Sequence, residues 1–152
     1  PYTLREYHRA PELTAAAYRD GWLRTGDLGY QSESGHVFLV DRAKDMIISG
    51  GMNVYSREVE EALLAHPGVV AAAVFGVPHA DWGEAVHAVV VARAAENPDA
   101  AAILRHCRER LAAYKVPKTI SFAAELPLTA YGKIDKKRLR APFWEGAARA
   151  IH

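Results

Sequence analysis

The chain has 152 residues, enough for one compact domain with a hydrophobic core of its own. Half of them are hydrophobic and 24% charged, and the formal charge of +1 gives no case for attraction to nucleic acid or to a membrane surface through net charge. A single cysteine, Cys107, excludes an internal disulfide and suits a reducing cytoplasm, and no apolar run is long enough to span a bilayer.

Residues 1 to about 40 carry no core pattern of their own; Tyr2, Tyr7, Tyr18 and Trp22 are scattered among polar positions. Pro11 opens a short helix reaching about Tyr18, because proline is tolerated at a helix start. Gly21, Gly26, Gly29 and Gly35 punctuate turns. Two short strands, Val37 to Val40 and Met46 to Ile48, flank the polar stretch Asp41 to Asp45. Ser56 reads as the N-cap of a helix with Glu58 and Glu60 in its first turn; Val59, Ala62 and Leu63 keep helical spacing until Pro67-Gly68.

Val69 to Val77 and Ala85 to Ala92 are near-continuous apolar runs rich in valine, the pattern of buried strands. Asn97-Pro98-Asp99 predicts an N-cap, a proline at the first helical position and an acid, opening a helix to about Ala113. Cys107 falls in its apolar stripe with Ile103 and Leu111, as a structural thiol. Thr119 to Ala123 gives a further strand and Lys136 to Arg140 a short closing helix. From about residue 45 this predicts an α+β domain, a small sheet flanked by helices, with a boundary near Lys44. The chain opens on Pro1 rather than Met and is read as part of a longer polypeptide.

Charge is uneven. Lys115, Lys118, Lys133, Lys136, Lys137, Arg138 and Arg140 crowd the last third, opposed there by Glu125 and Asp135. Such a face can hold an anion or can simply be solvated. His8, His36, His66, His79, His87, His106 and His152 show no metal-ligand spacing, so no metal site is expected. Lys133 follows Gly132 in Pro127-Leu128-Thr129-Ala130-Tyr131-Gly132-Lys133, where a glycine lets the backbone bend and present an ammonium. It is not a P-loop lysine: that motif needs glycine in place of Pro127 and Ser or Thr in place of Ile134. Asp27, among Gly26 and Gly29, can accept from both hydroxyls of a ribose or can sit in an ordinary turn. Gly50-Gly51 offers bare backbone to a ligand, or a tight turn.

Taken in order, Arg24-Thr25-Gly26-Asp27, Asp41-Arg42-Ala43-Lys44-Asp45, Ser49-Gly50-Gly51-Met52-Asn53 and the Lys133 loop resemble the C-terminal part of the acyl-adenylate-forming enzymes, most of all the acyl-CoA synthetases. The resemblance covers nearly the whole chain. It implies that residues 1–43 are the tail of a large N-terminal adenylating domain and 44–152 a mobile C-terminal domain. By resemblance, Asp27 and Arg42 hold the ribose of ATP and Lys44 is the hinge of rotation. Lys133 is the catalytic lysine, reaching the α-phosphate and the acid during adenylation. Gly50 and Gly51 line the pantetheine tunnel of CoA. Trp82, Tyr114 and Lys118 match positions that contact CoA in certain members, although Val116 stands where one of those carries a second basic residue.

The implied reaction joins a carboxylic acid, ATP and CoA into acyl-CoA, AMP and pyrophosphate, with Mg²⁺ accompanying ATP and held mainly by the large domain. The ending Leu139-Arg140-Ala141-Pro142-Phe143-Trp144 resembles fatty-acyl-CoA ligases, and the opening Pro1-Tyr2-Thr3-Leu4-Arg5 some members that activate aryl acids. Without the large domain the chain is expected to be inactive. Two alternatives are an adenylation domain that loads a carrier protein, and a non-catalytic module whose basic third binds a partner or nucleic acid. The latter leaves Asp27 and Gly50-Gly51 unexplained.

Overall fold

The computed structural model describes residues 3–96 and 98–146. The chain divides into two units, Pro1–Ala43 and Lys44–His152.

In the first unit, Pro11 starts α1 (Pro11–Ala17) from the first helical position. Thr14 Oγ1 ties the helix start, accepting from the Tyr7 N–H and donating to the Ala10 carbonyl, each at 2.9 Å. Strands β1 (Tyr18–Arg19) and β2 (Trp22–Leu23) form a minimal hairpin through Asp20 and Gly21, both at positive φ as a two-residue hairpin turn demands. Strands β3 (Asp27–Gln31) and β4 (Val37–Arg42) form a second antiparallel pair whose register shifts at Leu28/Gly29. A side chain at Gly29 would meet the Phe38 carbonyl at 2.6 Å, so only glycine fits there. No described residue of this unit is buried, in keeping with the missing core pattern.

The second unit is an α+β domain around one sheet. Strands β5 (Ile47–Ser49) and β6 (Met52–Val54) form a hairpin. Helix α2 (Ser56–Leu64) follows, then the long pair β7 (Val69–His79) and β8 (Gly83–Ala92), then α3 (Ala100–Arg108) and β9 (Thr119–Phe122). Helix α4 (Lys136–Arg140) and a 3₁₀ turn (Ala141–Trp144) close the described chain. Strand β7 pairs along all of one edge of β8. The other edge is divided: β5 meets it at Ser49↔Gly83, and β9 runs parallel to it from His87 to Val90. Helices α2 and α3 bury Val59, Leu63, Ile103 and Cys107 against Ile47, Val74, Val86, Ala88 and Val90. Each large side chain fully buried there contributes about 1.5–3 kcal/mol. On the opposite face, the Phe143 ring lies 5.8 Å from Phe75 and 4.8 Å from His87, and the Trp144 indole donates to the Gly76 carbonyl at 3.0 Å.

Several local expectations shift. The N-cap of α2 is Tyr55, and Ser56 is the first helical residue, its hydroxyl accepting from Lys136 Nζ at 2.8 Å. The cap of α3 is Asp99, whose carboxylate accepts from the Ala102 N–H at 2.6 Å; Asn97 lies outside the described residues. Helix α3 also ends at Arg108 rather than Ala113, while Leu111, Tyr114 and Val116 beyond it still pack on the core. The strands on either side of Asp41 to Asp45 do not pair with each other: β4 belongs to the first unit's sheet and β5 to the second's.

Candidate functional site

In the first unit, Asp27 and Arg42 are cross-strand partners, and Arg42 Nε stands 3.2 Å from Asp27 Oδ1. Both stay partly exposed, and the Ala43 N–H donates to the Gly26 carbonyl at 2.9 Å, fixing the end of the pair. A carboxylate held by a guanidinium at a strand end keeps its second oxygen for hydroxyl donors. Lys44 is the first residue of the second unit, inside the 3₁₀ turn Ala43–Asp45.

Gly50 and Gly51 form the two-residue turn between β5 and β6, at φ +57° and +78°. That pair of positive values suits the turn that matches strand twist, and a side chain on either residue would be strained. The Gly50 N–H donates to the Trp82 carbonyl at 3.0 Å, and a Cβ at Gly50 would touch the indole at 3.6 Å. Trp82, in the turn between β7 and β8, is 39% exposed. The His79 ring stacks on it at 4.3 Å, nearly parallel, and Lys118 Nζ sits 4.7 Å from the indole centroid. Ser49, Gly50, Met52, Trp82, Tyr114 and Lys118 line one open cleft of about 260 Å³. Four of the five residues expected to contact CoA therefore share one cleft; Gly51 lies at the adjoining hairpin tip.

Lys115 is not part of it. It binds both carboxylate oxygens of Glu58, at 2.6 and 2.7 Å, and that hydrogen bonding raises its pKa above 10.5. Val116 is buried in the core, so its position offers the cleft no charge. Lys136 is likewise engaged, 2.7 Å from Glu60 Oε1. The basic third is thus less of an anion-binding face than its sequence implies, because acids from α2 neutralise two of its lysines.

Lys133 stands apart from the cleft, on a tight loop closed by the Leu128↔Ile134 bridge. The Thr129 N–H donates to the Lys133 carbonyl at 2.7 Å, and Gly132 takes φ +74°. The side chain is exposed, and among the described residues its ammonium has no hydrogen-bond or ion-pair partner. No group of three or more His, Cys, Asp or Glu among the described residues could hold a metal ion. Cys107 is fully buried, and burial pushes its thiol pKa up, away from reactivity. Ser49 and Met52 stood in the glycine run without roles of their own, and sequence reasoning missed His79, whose one trace is its place three residues before Trp82, where a tight turn brings the two rings together.

Residues 58–133 match the family described as the AMP-binding enzyme C-terminal domain. This chain belongs to that family. It is 46% identical over 158 residues to the medium/long-chain-fatty-acid–CoA ligase FadD8 of Mycobacterium tuberculosis, covering 99% of this chain and 28% of that protein. It is 47% identical over 140 residues to the 2-succinylbenzoate–CoA ligase of Geobacillus kaustophilus, covering 92% and 29%. Among solved structures it resembles ATP-bound MatB from Rhodopseudomonas palustris, with TM-score 0.85 and 43% identity over 95% of this chain and 29% of that one. The AMP-binding C-terminal chain thus spans under a third of the length of these relatives. Among the described residues no helix is long and apolar enough to cross a membrane.

Proposed function

We propose that this chain is the C-terminal part of an ATP-dependent acid–CoA ligase, with residues 1–43 the tail of the large adenylating domain and 44–152 the domain that rotates between two half-reactions. The observation that carries this reading is the convergence of Gly50, Trp82, Tyr114 and Lys118 on one cleft, while Lys133 projects from a separate loop. Two distinct stations on one domain suit two chemical steps.

In the first step a carboxylate oxygen attacks the α-phosphorus of ATP and pyrophosphate leaves. Lys133 holds its ammonium against the two approaching anions and lowers their repulsion most in the transition state. Asp27, held by Arg42, accepts from the ribose hydroxyls. In the second step the thiol of CoA attacks the acyl carbonyl and AMP leaves. Gly50 and Gly51 let the pantetheine arm pass close to backbone. Trp82 and Tyr114 offer aromatic surface to the nucleotide end, and Lys118 offers it a cation. Lys44 is the pivot between the two states. Mg²⁺ would accompany the ATP phosphates, held mainly by the large domain.

A fatty or related acid is the proposed substrate, on the likeness of the ending and of the Mycobacterium relative. Phe143 and Trp144 pack on the sheet, and a succinylbenzoate ligase is equally similar. The test is acyl-CoA formation by the full-length enzyme over a panel of fatty and aryl acids, with CoA and with a carrier protein as acceptors. Lys133→Ala should lose adenylation by about 10²–10³-fold, by analogy with a lost oxyanion donor. It should still pass a supplied acyl-adenylate to CoA. Normal adenylation by that variant, or thioester formed only on a carrier protein, overturns the corresponding assignment.

A further inference from the structure

The cleft borders a strand junction that is incomplete as a ladder. Strand β5 meets β8 at Ser49↔Gly83 alone, so the ladder does not extend to Ile48, one residue earlier. The Glu84 carboxylate fills the gap, Oε2 accepting from the Ile48 N–H at 3.3 Å. Glu84 is 7% exposed and lies over Gly76, where a Cβ would come within 2.2 Å of that same oxygen and 3.1 Å of Ile47 Cγ2. Gly76 is thus the seat that lets the carboxylate reach β5. The backbone of Glu84 acts on the other side of the junction. Its N–H donates at 2.8 Å to the Trp82 carbonyl, the same oxygen that accepts from the Gly50 N–H at 3.0 Å.

One residue therefore holds both walls of the cleft: its side chain holds the root of the glycine hairpin, and its N–H shares with the hairpin tip the carbonyl of the tryptophan. A carboxylate in the interior of a sheet is costly. An apolar residue would pack against Ile47 without that cost but could not bond Ile48. We infer that Glu84 is a positioning residue for the acceptor cleft, fixing the Gly50-Gly51 hairpin against Trp82. The inference rests on the ligase reading for its kinetic consequence but on geometry alone for its structural one.

The experiment uses the full-length enzyme with Glu84→Ala, Glu84→Gln and Gly76→Ala. The last leaves Glu84 in the chain but pushes its carboxylate off Ile48. Glu84→Ala and Gly76→Ala should raise KM for CoA about tenfold, the effect of losing one hydrogen bond to a charged acceptor. Adenylate formation should stay within about twofold of wild type, since a merely destabilised domain depresses both half-reactions alike. Glu84→Gln, which keeps an acceptor oxygen, should recover most of the CoA affinity. Hydrogen exchange in peptides covering 46–54 should quicken in the first and third variants. An unchanged KM for CoA, or equal losses in both half-reactions, overturns the inference. If wild type makes no thioester from CoA, the ligase reading fails on its own. Exchange then decides for Glu84: quickened exchange at 46–54 sustains its hold on the hairpin, and unchanged exchange removes it.

Discussion

Lys136 and Lys133 are three residues apart, both basic, and should behave in opposite ways. Lys136 Nζ lies 2.7 Å from Glu60 Oε1 and 2.8 Å from Ser56 Oγ, and the side chains of the ion pair are only 19% and 17% exposed. The same Glu60 oxygen accepts from the Val74 N–H at 2.8 Å, so the pair joins α4, α2 and β7. Removing one partner of a fully buried pair costs about 3–5 kcal/mol, because the other charge is left desolvated. With about a fifth of each side chain still meeting water, the expected cost of Lys136→Met is about 2–3 kcal/mol. Urea denaturation followed by circular dichroism should show a midpoint lower by more than about 1 M. A cycle with Glu60→Gln should give a coupling of about 1.5 kcal/mol or more. Lys133→Met, on an exposed loop, should leave the midpoint within about 0.3 M. A coupling below about 0.5 kcal/mol, or equal losses for the two lysines, would refute the division into a structural and a presented lysine.

Trp82→Ala should raise KM for CoA about tenfold in the full-length enzyme, losing an aromatic surface worth about 1–3 kcal/mol to a stacked base, with adenylation unchanged. Lys115→Met should destabilise modestly at neutral pH, as Lys115 is paired to a partly exposed Glu58. The folded pKa of Lys115 is raised, so the pair's contribution is complete below 10.5 and is lost as pH rises through the folded value; wild type and variant should converge in strongly alkaline urea melts. His87 behaves in the other sense. Burial lowers its pKa, and its Nε2 has no partner among the described residues, so the unfolded chain binds the extra proton. Stability should fall as pH drops below 6.5, by up to about 1.4 kcal/mol per pH unit until the folded value is passed. His87→Phe should flatten that slope, and an unchanged slope would place the proton uptake elsewhere.

What the sequence made legible was mostly local. The valine runs of β7 and β8 are long, apolar and β-branched, and burial of β8 on both faces follows from that pattern. Helices α1 and α2 announce themselves by proline or acids in the first turn, and α2 also by the Pro67-Gly68 that follows it. What stayed hidden was set by long-range pairing. The four residues of β9 alternate too little to reveal that they run parallel to β8. The Asp27–Arg42 ion pair depends on a register shift at Gly29, which leaves Asp27 directly across from Arg42. The neutralisation of Lys115 and Lys136 was invisible for the same reason. Their partners Glu58 and Glu60 read as acids favouring a helix N-terminus, while from the other end of the chain the lysines read as a charged face. The candidate site divided likewise: individual residues were legible as motifs, but the lining contributed by Ser49 and Met52, the stacking of His79 on Trp82 and the reach of Glu84 to Ile48 exist only in three dimensions.

The two engaged lysines also explain how the two unengaged stations are held. Lys115 pins the chain just ahead of β9 to Glu58, and Lys136 pins the start of α4 to Glu60. Glu58 and Glu60 sit on one helix, packed against the central sheet. Lys118 follows three residues after the first pin, and its backbone N–H donates to the Val86 carbonyl at 2.8 Å, so its reach over Trp82 starts from a fixed point. Lys133 precedes the second pin by three residues, on a loop whose base is closed by the Leu128↔Ile134 bridge. A charged side chain used in catalysis is most effective when little ordering remains to be done at the moment of reaction. If Lys133 and Lys118 act as proposed, that ordering is done in the folded state by Lys115 and Lys136, neighbours of the same charge that have been given partners. Severing the Lys136–Glu60 pair should therefore lower adenylation through loss of loop order. Severing the Lys115–Glu58 pair should raise KM for CoA. A measurement that found the two effects exchanged would break the link between each pin and its station.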